Sequence, residues 1–429
     1  MVDKYNILEI LNKYNFWNKK VENLWYVRKT YLDKIESSIW TNDLIKVLIW
    51  QRRVWKSYIL KQFINSLIQE KKINPKNILY INLEYEDFSF IKTKDDLNTV
   101  LNLYIKENKI NSKFFIFIDE IQEIAGWEKF INSIRADHTI EVEIYITWSN
   151  SSLLSSELST YLSWRYITFN IFPFSFEEYL NFKNLTKNKQ NFIDYINFSW
   201  IPEVYNLPNK ELQRNFISSL KDTIILKDLV KRYSIKEVDL LEKIFYFLSS
   251  NIWNLFSINA ISRKLKSEWI NISPTTLSNY LRYLQNILVF YWVDRYDLKW
   301  KRILEWEKKY YLNDLWFINF LFSSFDDYAW KKLENYIFNY LNSNWYTVYT
   351  GNLWNLEIDF VAEKNNEKIY IQASYLLSSK EVIDREYWNL KLIKDSFPKY
   401  VISMDDILFP VDDHGIKHLQ VWDIDEINF

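Results

Sequence analysis

The sequence predicts an α/β fold whose core is a parallel sheet covered by helices. Three observations carry that expectation. Short apolar runs alternate with amphipathic stretches between residues 45 and 171. One apolar run, Lys46-Val47-Leu48-Ile49, leads through a basic loop into a helix at Lys56-Ser57. Another, Phe114 to Ile118, ends in two adjacent acids, Asp119 and Glu120.

The elements follow in chain order. Residues 1–30 read as an N-terminal helical segment and 31–180 as the α/β core. Within the core the expected order is strand 45–49, helix 56–71, strand 78–84, helix 95–108, strand 113–119, helix 127–136, strand 141–147, helix 152–163 and strand 165–171. Strands alternating with helices imply right-handed crossovers between parallel strands. Residues 181–253 read as helical, punctuated by Trp200-Ile201-Pro202, with Asp228 and Arg232 spaced to pair on one helix face. Residues 254–325 read as a helix-turn-helix. Ser257 starts the first helix, and Ser273-Pro274 caps a second running from Thr275 to Asn286. Residues 326–429 read as a further α/β domain, with Glu334 on its first helix and strands at 356–361 and 369–374.

Composition narrows the function classes. The 429 residues carry a formal net charge of −1, so no overall basic field argues for nucleic acid. There is no cysteine, which excludes disulfides and thiolate metal sites. Three scattered histidines, His138, His414 and His418, do not make a His-rich metal site. No apolar run reaches the roughly 18 residues of a membrane span. The start Met1-Val2-Asp3-Lys4-Tyr5-Asn6 lacks the apolar core of a secretory signal. A cytoplasmic protein without membrane association is expected.

One feature is abnormal: 20 tryptophans stand against 3 glycines. Globular proteins carry roughly 7% glycine, and a large α/β chain needs it where φ is positive or a ligand lies against backbone. Several tryptophans occupy such places. With glycine at 50 and 55, the run Trp50-Gln51-Arg52-Arg53-Val54-Trp55-Lys56-Ser57 becomes G-x-x-x-x-G-K-S, the phosphate-binding loop. Trp148, Trp164, Trp269 and Trp316 likewise fall at turns, whereas Trp127 and Trp422 read as genuine. The expectation is that the gene uses UGA for glycine and that the printed chain renders it as tryptophan. The alternative is a chain that is truly Trp-rich.

The restored loop assigns chemistry. Its backbone N–H groups, from residues 50 to 55, would cradle phosphate oxygens. Lys56 would reach the β- and γ-phosphates of ATP, and Ser57 would ligate Mg²⁺. Arg52 and Arg53 lie within the loop, to pair with phosphate or face solvent. Asp119 would hold Mg²⁺ through water, and Glu120 would orient or deprotonate the attacking water. After the strand at 141–147, Ser149 and Asn150 would lie beside the γ-phosphate, with Asn150 as the sensing residue. Arg165 is a candidate for the γ-phosphate, on this chain or on a neighbour in a homo-oligomer.

These motifs resemble a broad group of prokaryotic AAA-family ATPases that carry a C-terminal domain of unknown function, the domain-of-unknown-function 4143 type. Further resemblance lies in Gly126-Trp127-Glu128, Leu162-Ser163-Trp164-Arg165-Tyr166, Pro173-Phe174-Ser175-Phe176-Glu177-Glu178, Lys309-Tyr310-Tyr311-Leu312-Asn313-Asp314 and Leu333-Glu334-Asn335. It implies ATP binding and hydrolysis with Mg²⁺, and a helical lid at 181–253. The helix pair at 254–300 resembles a winged helix, whose second helix would enter DNA, with Arg263, Lys264, Lys266, Asn279 and Arg282 as contacts. The last hundred residues resemble a restriction-endonuclease-type fold. Active members place an acid, then acid-x-Lys on the next strand, around Mg²⁺. Here Gln372-Ala373-Ser374 stands for acid-x-Lys, so Glu334, Asp359 and Gln372 read as a vestigial nuclease site. The leading expectation is a nucleotide-driven switch with Mg²⁺-dependent ATPase activity. The alternatives are a DNA-binding protein with ATP-gated engagement or residual nuclease activity, and a non-hydrolysing scaffold if Trp50 and Trp55 are real.

Overall fold

The computed structural model describes residues 4–17, 24–40, 44–49, 56–137, 139–148, 162, 165–197, 200–224, 229–230, 232–252, 254–316, 318, 329–354 and 356–427. The chain forms two compact units, residues 1–172 and 173–429. Among the described residues no helix is long and apolar enough to cross a membrane.

The first unit is a five-stranded, wholly parallel sheet with helices on its faces. Helices α1 (Lys4–Tyr14) and α2 (Lys29–Glu36) precede β1 (Ile45–Ile49) and α3 (Lys56–Gln69). Then come β2 (Ile78–Asn82), α4 (Lys94–Asn108), β3 (Phe114–Asp119), α5 (Trp127–Ala136), β4 (Val142–Trp148) and β5 (Tyr166–Asn170). The strand order is β2-β3-β4-β1-β5. Strands β1, β2 and β3 are buried along their whole length, as expected where helices cover both faces of a parallel sheet. Helix α3 lays Ile59, Leu60, Phe63, Ile64 and Leu67 against the sheet. Each such side chain contributes roughly 1.5–3 kcal/mol on burial. Phe63 meets both Phe117 and Tyr145. The edge strand β2 is blocked by Asn15, whose side chain exchanges hydrogen bonds with the Tyr80 backbone, closing an otherwise open edge. The helix expected at 152–163 lies outside the described residues apart from Leu162.

At the end of the sheet where β1 and β4 begin, Lys46 and Glu143 form a buried ion pair at 2.5 Å. Glu143 also accepts from the Trp40 backbone N–H at 2.8 Å and from the Tyr145 hydroxyl at 3.3 Å. Lysine in an apolar run gave no warning of this pairing.

The second unit begins with α6 (Phe176–Lys183), α7 (Lys189–Ile196), α8 (Lys210–Thr223) and α9 (Val238–Ser250). Next are β6 (Leu255–Phe256), α10 (Ile258–Ser267), α11 (Pro274–Asn286), β7 (Phe290–Asp297) and β8 (Arg302–Leu312). The last part holds α12 (Ala329–Ser343), β9 (Thr347–Leu353), β10 (Leu356–Lys364), β11 (Glu367–Ser374), α13 (Lys380–Lys391), β12 (Lys399–Ser403) and β13 (Ile416–Gln420). Ser257 and Ser273 cap α10 and α11 through the Ala260 and Thr276 N–H groups, and Pro274 opens α11. One eight-stranded sheet, β13-β12-β11-β10-β9-β7-β8-β6, runs through the unit. The β7–β8 hairpin joins it by parallel pairing of Arg295–Asp297 with Thr350–Asn352. The boundaries read at 253/254 and 325/326 therefore fall inside a single sheet-bearing unit.

Gly351 is irreplaceable by size: a Cβ there would sit 2.8 Å from Ile358 Cβ and 2.9 Å from Val361 Cγ2. Opposite it β10 bulges, with the register shifting between Ile358 and Val361. Such a bulge re-aims side chains, and Asp359 lies within it.

The tryptophans adopt conformations unusual for bulky residues. Trp25, Trp40, Trp269, Trp345 and Trp354 have φ between +51° and +67°. They supply five of the fourteen non-glycine residues with left-handed φ among those described, from a residue type that is 20 of 429. An L-residue pays roughly 1–2 kcal/mol there, and glycine pays almost none. Trp269 is 97% exposed, so no packing compensates it. Trp127, read as genuine, is buried against Trp148 with ring centroids 5.2 Å apart.

Candidate functional site

In a parallel sheet all strands deliver their C-terminal ends to one edge, where open α/β sheets bind ligands. Strand β1 lies inside the sheet, between β4 and β5, and its C-terminal end precedes residues 50–55. Helix α3 opens at Lys56, so the N-terminal end of its dipole belongs to the same edge. Strand β3 ends at Asp119, β2 at Asn82 and β4 at Trp148.

The structure brings Lys56, Ser57, Asp119 and Glu120 together. Lys56 is buried, with its ammonium 3.9 Å from Glu120 Oε1. Asp119 is wholly buried and accepts hydrogen bonds from Ser57, Thr147, Tyr80 at 3.1 Å and Asn82 at 3.0 Å. Burial and the neighbouring Glu120 charge push its carboxyl above the usual range, against the Ser57 and Thr147 hydrogen bonds and Lys56. A cation beside it would favour the ionised form. Glu120 sits at φ +58°, donates its N–H to Thr147 Oγ1 at 2.8 Å and accepts from Gln122. A carboxylate held in left-handed backbone at a strand end marks a constrained position.

Three members of this cluster were not anticipated: Tyr80, Asn82 and Thr147. Asn82 is oriented by donating to Asp119 while accepting the Glu84 N–H at 2.9 Å. Single polar residues at strand ends carry no periodic signal; only their shared edge unites them. Asn170, at the end of β5 beside Ile49, has a buried Oδ1 that accepts no hydrogen bond from the described residues.

Trp50, Gln51, Arg52, Arg53, Val54, Trp55, Ser149 and Asn150 lie outside the described residues, as does Asp228. Arg165 is not brought to the cluster. It precedes β5, and its C=O accepts the Ile45 N–H at 3.0 Å, at the start of β1. Five residues of strand, at roughly 3.3 Å each, separate that edge from the one bearing Asp119.

The second unit gathers a separate cluster. Glu334 on α12, Glu357 and Asp359 on β10 and Lys309 on β8 converge, with Lys309 Nζ at 2.6 Å from Glu334, 2.8 Å from Glu357 and 4.0 Å from Asp359. The Tyr311 hydroxyl donates to Glu334 at 2.7 Å, and the Ala373 N–H to Asp359 at 2.8 Å. Gln372 falls opposite Asp359 when the β10–β11 register is continued by one pair, and its buried Oε1 accepts no hydrogen bond from the described residues. Lys309 was not anticipated in this site.

Comparisons with known proteins match two successive stretches of the chain. An AAA domain family profile matches residues 42–180, and one described as domain of unknown function DUF8612 matches residues 189–327. This corrects the expected 4143 type: the matching domain covers the helices and the α10–β8 segment, not the last hundred residues. An uncharacterized protein of Haemophilus influenzae is 32% identical over 380 residues, covering 88% of this chain and 92% of that protein. One from Methanocaldococcus jannaschii is 29% identical over 400 residues, covering 88% and 85%. Among solved structures, a Walker-type ATPase of Pyrococcus abyssi aligns over 69% of this chain and 95% of its own, with 17% identity and a TM-score of 0.44. The chain thus belongs to the family of the Haemophilus protein, with a P-loop AAA ATPase core followed by the DUF8612 domain.

Proposed function

We propose that the protein binds ATP with Mg²⁺ and hydrolyses it, working as a nucleotide-driven switch. The observation that carries this is the convergence of Lys56, Ser57, Asp119 and Glu120 on the C-terminal edge of the parallel sheet. Hard oxygen donors, a hydroxyl bonded to a carboxylate, suit Mg²⁺. Ser57 and Asp119 would hold it, and its charge would offset that building on the transferred phosphoryl oxygens. Lys56 binds the β- and γ-phosphate oxygens. Glu120 holds the attacking water and takes its proton, while Thr147 fixes both acids through one hydroxyl. Asn150 is assigned as the residue that senses the γ-phosphate, and Arg165 as one that acts on a neighbour's nucleotide.

This reading takes glycine as the native residue at 50 and 55, for which the five left-handed tryptophans argue. Tandem mass spectrometry of native peptides spanning residues 46–57 tests it. Glycine at both positions is the expected result, and tryptophan at both would block the phosphate cradle. In the glycine-bearing protein, Lys56→Ala should abolish nucleotide binding; unchanged binding would remove the site.

DNA engagement is the second reading. Arg263, Lys264 and Lys266 on α10 and Arg282 on α11 are exposed, as are Lys299, Lys301 and Arg302 at the β7–β8 turn. A helix pair beside a basic hairpin suits a duplex. Binding should weaken with salt at a log–log slope of about −0.9 per phosphate contacted; a flat response would exclude it.

A further inference from the structure

The sheet-borne acids of the second unit pose a question independent of the ATP reading. Nucleases with an acid on the first helix and acids on successive strands hold a divalent metal among them. The donor set here does not fit that use. The Lys309 ammonium already lies among Glu334, Glu357 and Asp359, at 2.6, 2.8 and 4.0 Å. Tyr311 and the Ala373 N–H take further acceptor positions on Glu334 and Asp359. Gln372 puts a neutral amide where a further acid would stand, and Ser374 occupies the position of the missing lysine. As the side chains stand, with Lys309 in place, no three His, Asp or Glu among the described residues are placed to hold a metal ion.

We propose that Lys309 is the resident cation of this cluster, filling with its ammonium the place a divalent metal would take. The lysine side chain is 3% exposed, and Glu334 is 4% exposed. A buried ammonium is costly unless carboxylates surround it. Burial alone would depress Lys309, but Glu334, Asp359 and Glu357 together raise it above the ordinary lysine range, so it stays charged. Burial, then the Glu334 charge, pushes Asp359 well above the usual carboxylate range despite Lys309. Asp359 is thus harder to ionise than an ordinary carboxylate, and the Lys309 ammonium offsets part of the cluster's negative charge.

The test is Mn²⁺ titration of the full chain without nucleotide, read by electron paramagnetic resonance. A Ser57→Ala/Asp119→Asn background removes metal binding at the first unit. The parent should show no site, and Lys309→Met should gain one, with a Kd at least about tenfold below the highest Mn²⁺ concentration at which the parent stays unbound. That site should vanish when Asp359→Asn is added. If Lys309→Met does not fold, Lys309→Met/Glu357→Gln removes one charge of each sign and takes its place. Mn²⁺ binding by the parent that Asp359→Asn abolishes would overturn the proposal. So would a folded Lys309→Met or Lys309→Met/Glu357→Gln protein that binds no Mn²⁺.

Discussion

Replacing Glu120 with glutamine should separate binding from turnover, in a direction the geometry fixes. Without nucleotide, Glu120 lies 3.9 Å from the Lys56 ammonium, with the two side chains 8% and 4% exposed. At that separation two unit charges attract by about 4 kcal/mol for an effective dielectric near 20. Desolvation of both groups offsets part of this. ATP must draw Lys56 onto its phosphates against that attraction, while its own negative charge approaches Glu120. Glu120→Gln removes both obstacles and keeps the side-chain shape. A net gain of only about 1.4 kcal/mol corresponds to a tenfold lower Kd. Turnover should fall by roughly 10²–10⁴, the usual worth of a positioned proton acceptor. Titration with a fluorescent ATP analogue in Mg²⁺, with phosphate release measured alongside, reads both quantities on the glycine-bearing protein. Weaker binding in Glu120→Gln would refute the competition between Glu120 and phosphate for Lys56. Undiminished phosphate release would remove Glu120 from the chemistry.

Two further outcomes are expected. Lys46→Met strands Glu143 in the sheet. Removing one partner of a buried pair costs about 3–5 kcal/mol, and roughly 2–4 °C accompanies each kcal/mol in a domain of this size, so the first unit should melt about 6–20 °C lower. Lys46→Met/Glu143→Met should recover most of that loss, and calorimetry showing the double variant no better than the single would count against the pair. In the second unit, His418 Nδ1 accepts the Phe409 N–H at 3.0 Å, and Nε2 lies 2.8 Å from Ser403 Oγ. Burial lowers the imidazole below its usual value of 6.5, against the Asp405 charge. A depressed folded value means that its stability contribution is complete above pH 6.5 and is lost as pH falls through the folded value. Urea midpoints should therefore drop below pH 6.5, with a shallower drop in His418→Asn; equal slopes would exclude His418 as the source.

Much of the first unit was legible because buried parallel strands read as unbroken apolar runs. The run 45–49 matches β1 residue for residue, and 113–119 differs from β3 only at its first position. Serines before Ala260 and Thr276 announced α10 and α11, since capping chemistry is local. The phosphate-loop reading of residues 50–57 rests on taking the scarcity of glycine as information, and residues 50–55 lie outside the described residues. Long-range partners stayed hidden. Lys309 sits in a strand with charged neighbours and looks solvated, yet α12 and β10 close over it. Lys46 looks like an interruption of an apolar run until β4 supplies Glu143. Arg165 shows the converse: its neighbours in sequence suggested the nucleotide, but strand direction assigns it to the opposite edge.

The parallel pairing of β7 with β9 also determines where the chain can be cut. Ending it near residue 325 looks natural from the sequence, since the helix pair and hairpin would be kept whole. Such a fragment would strip β9 from β7 and expose the N–H and C=O groups of Arg295, Tyr296 and Asp297 along a bare strand. Open edges recruit other strands. The truncated protein should therefore self-associate, whereas one spanning residues 173–429 keeps that edge paired.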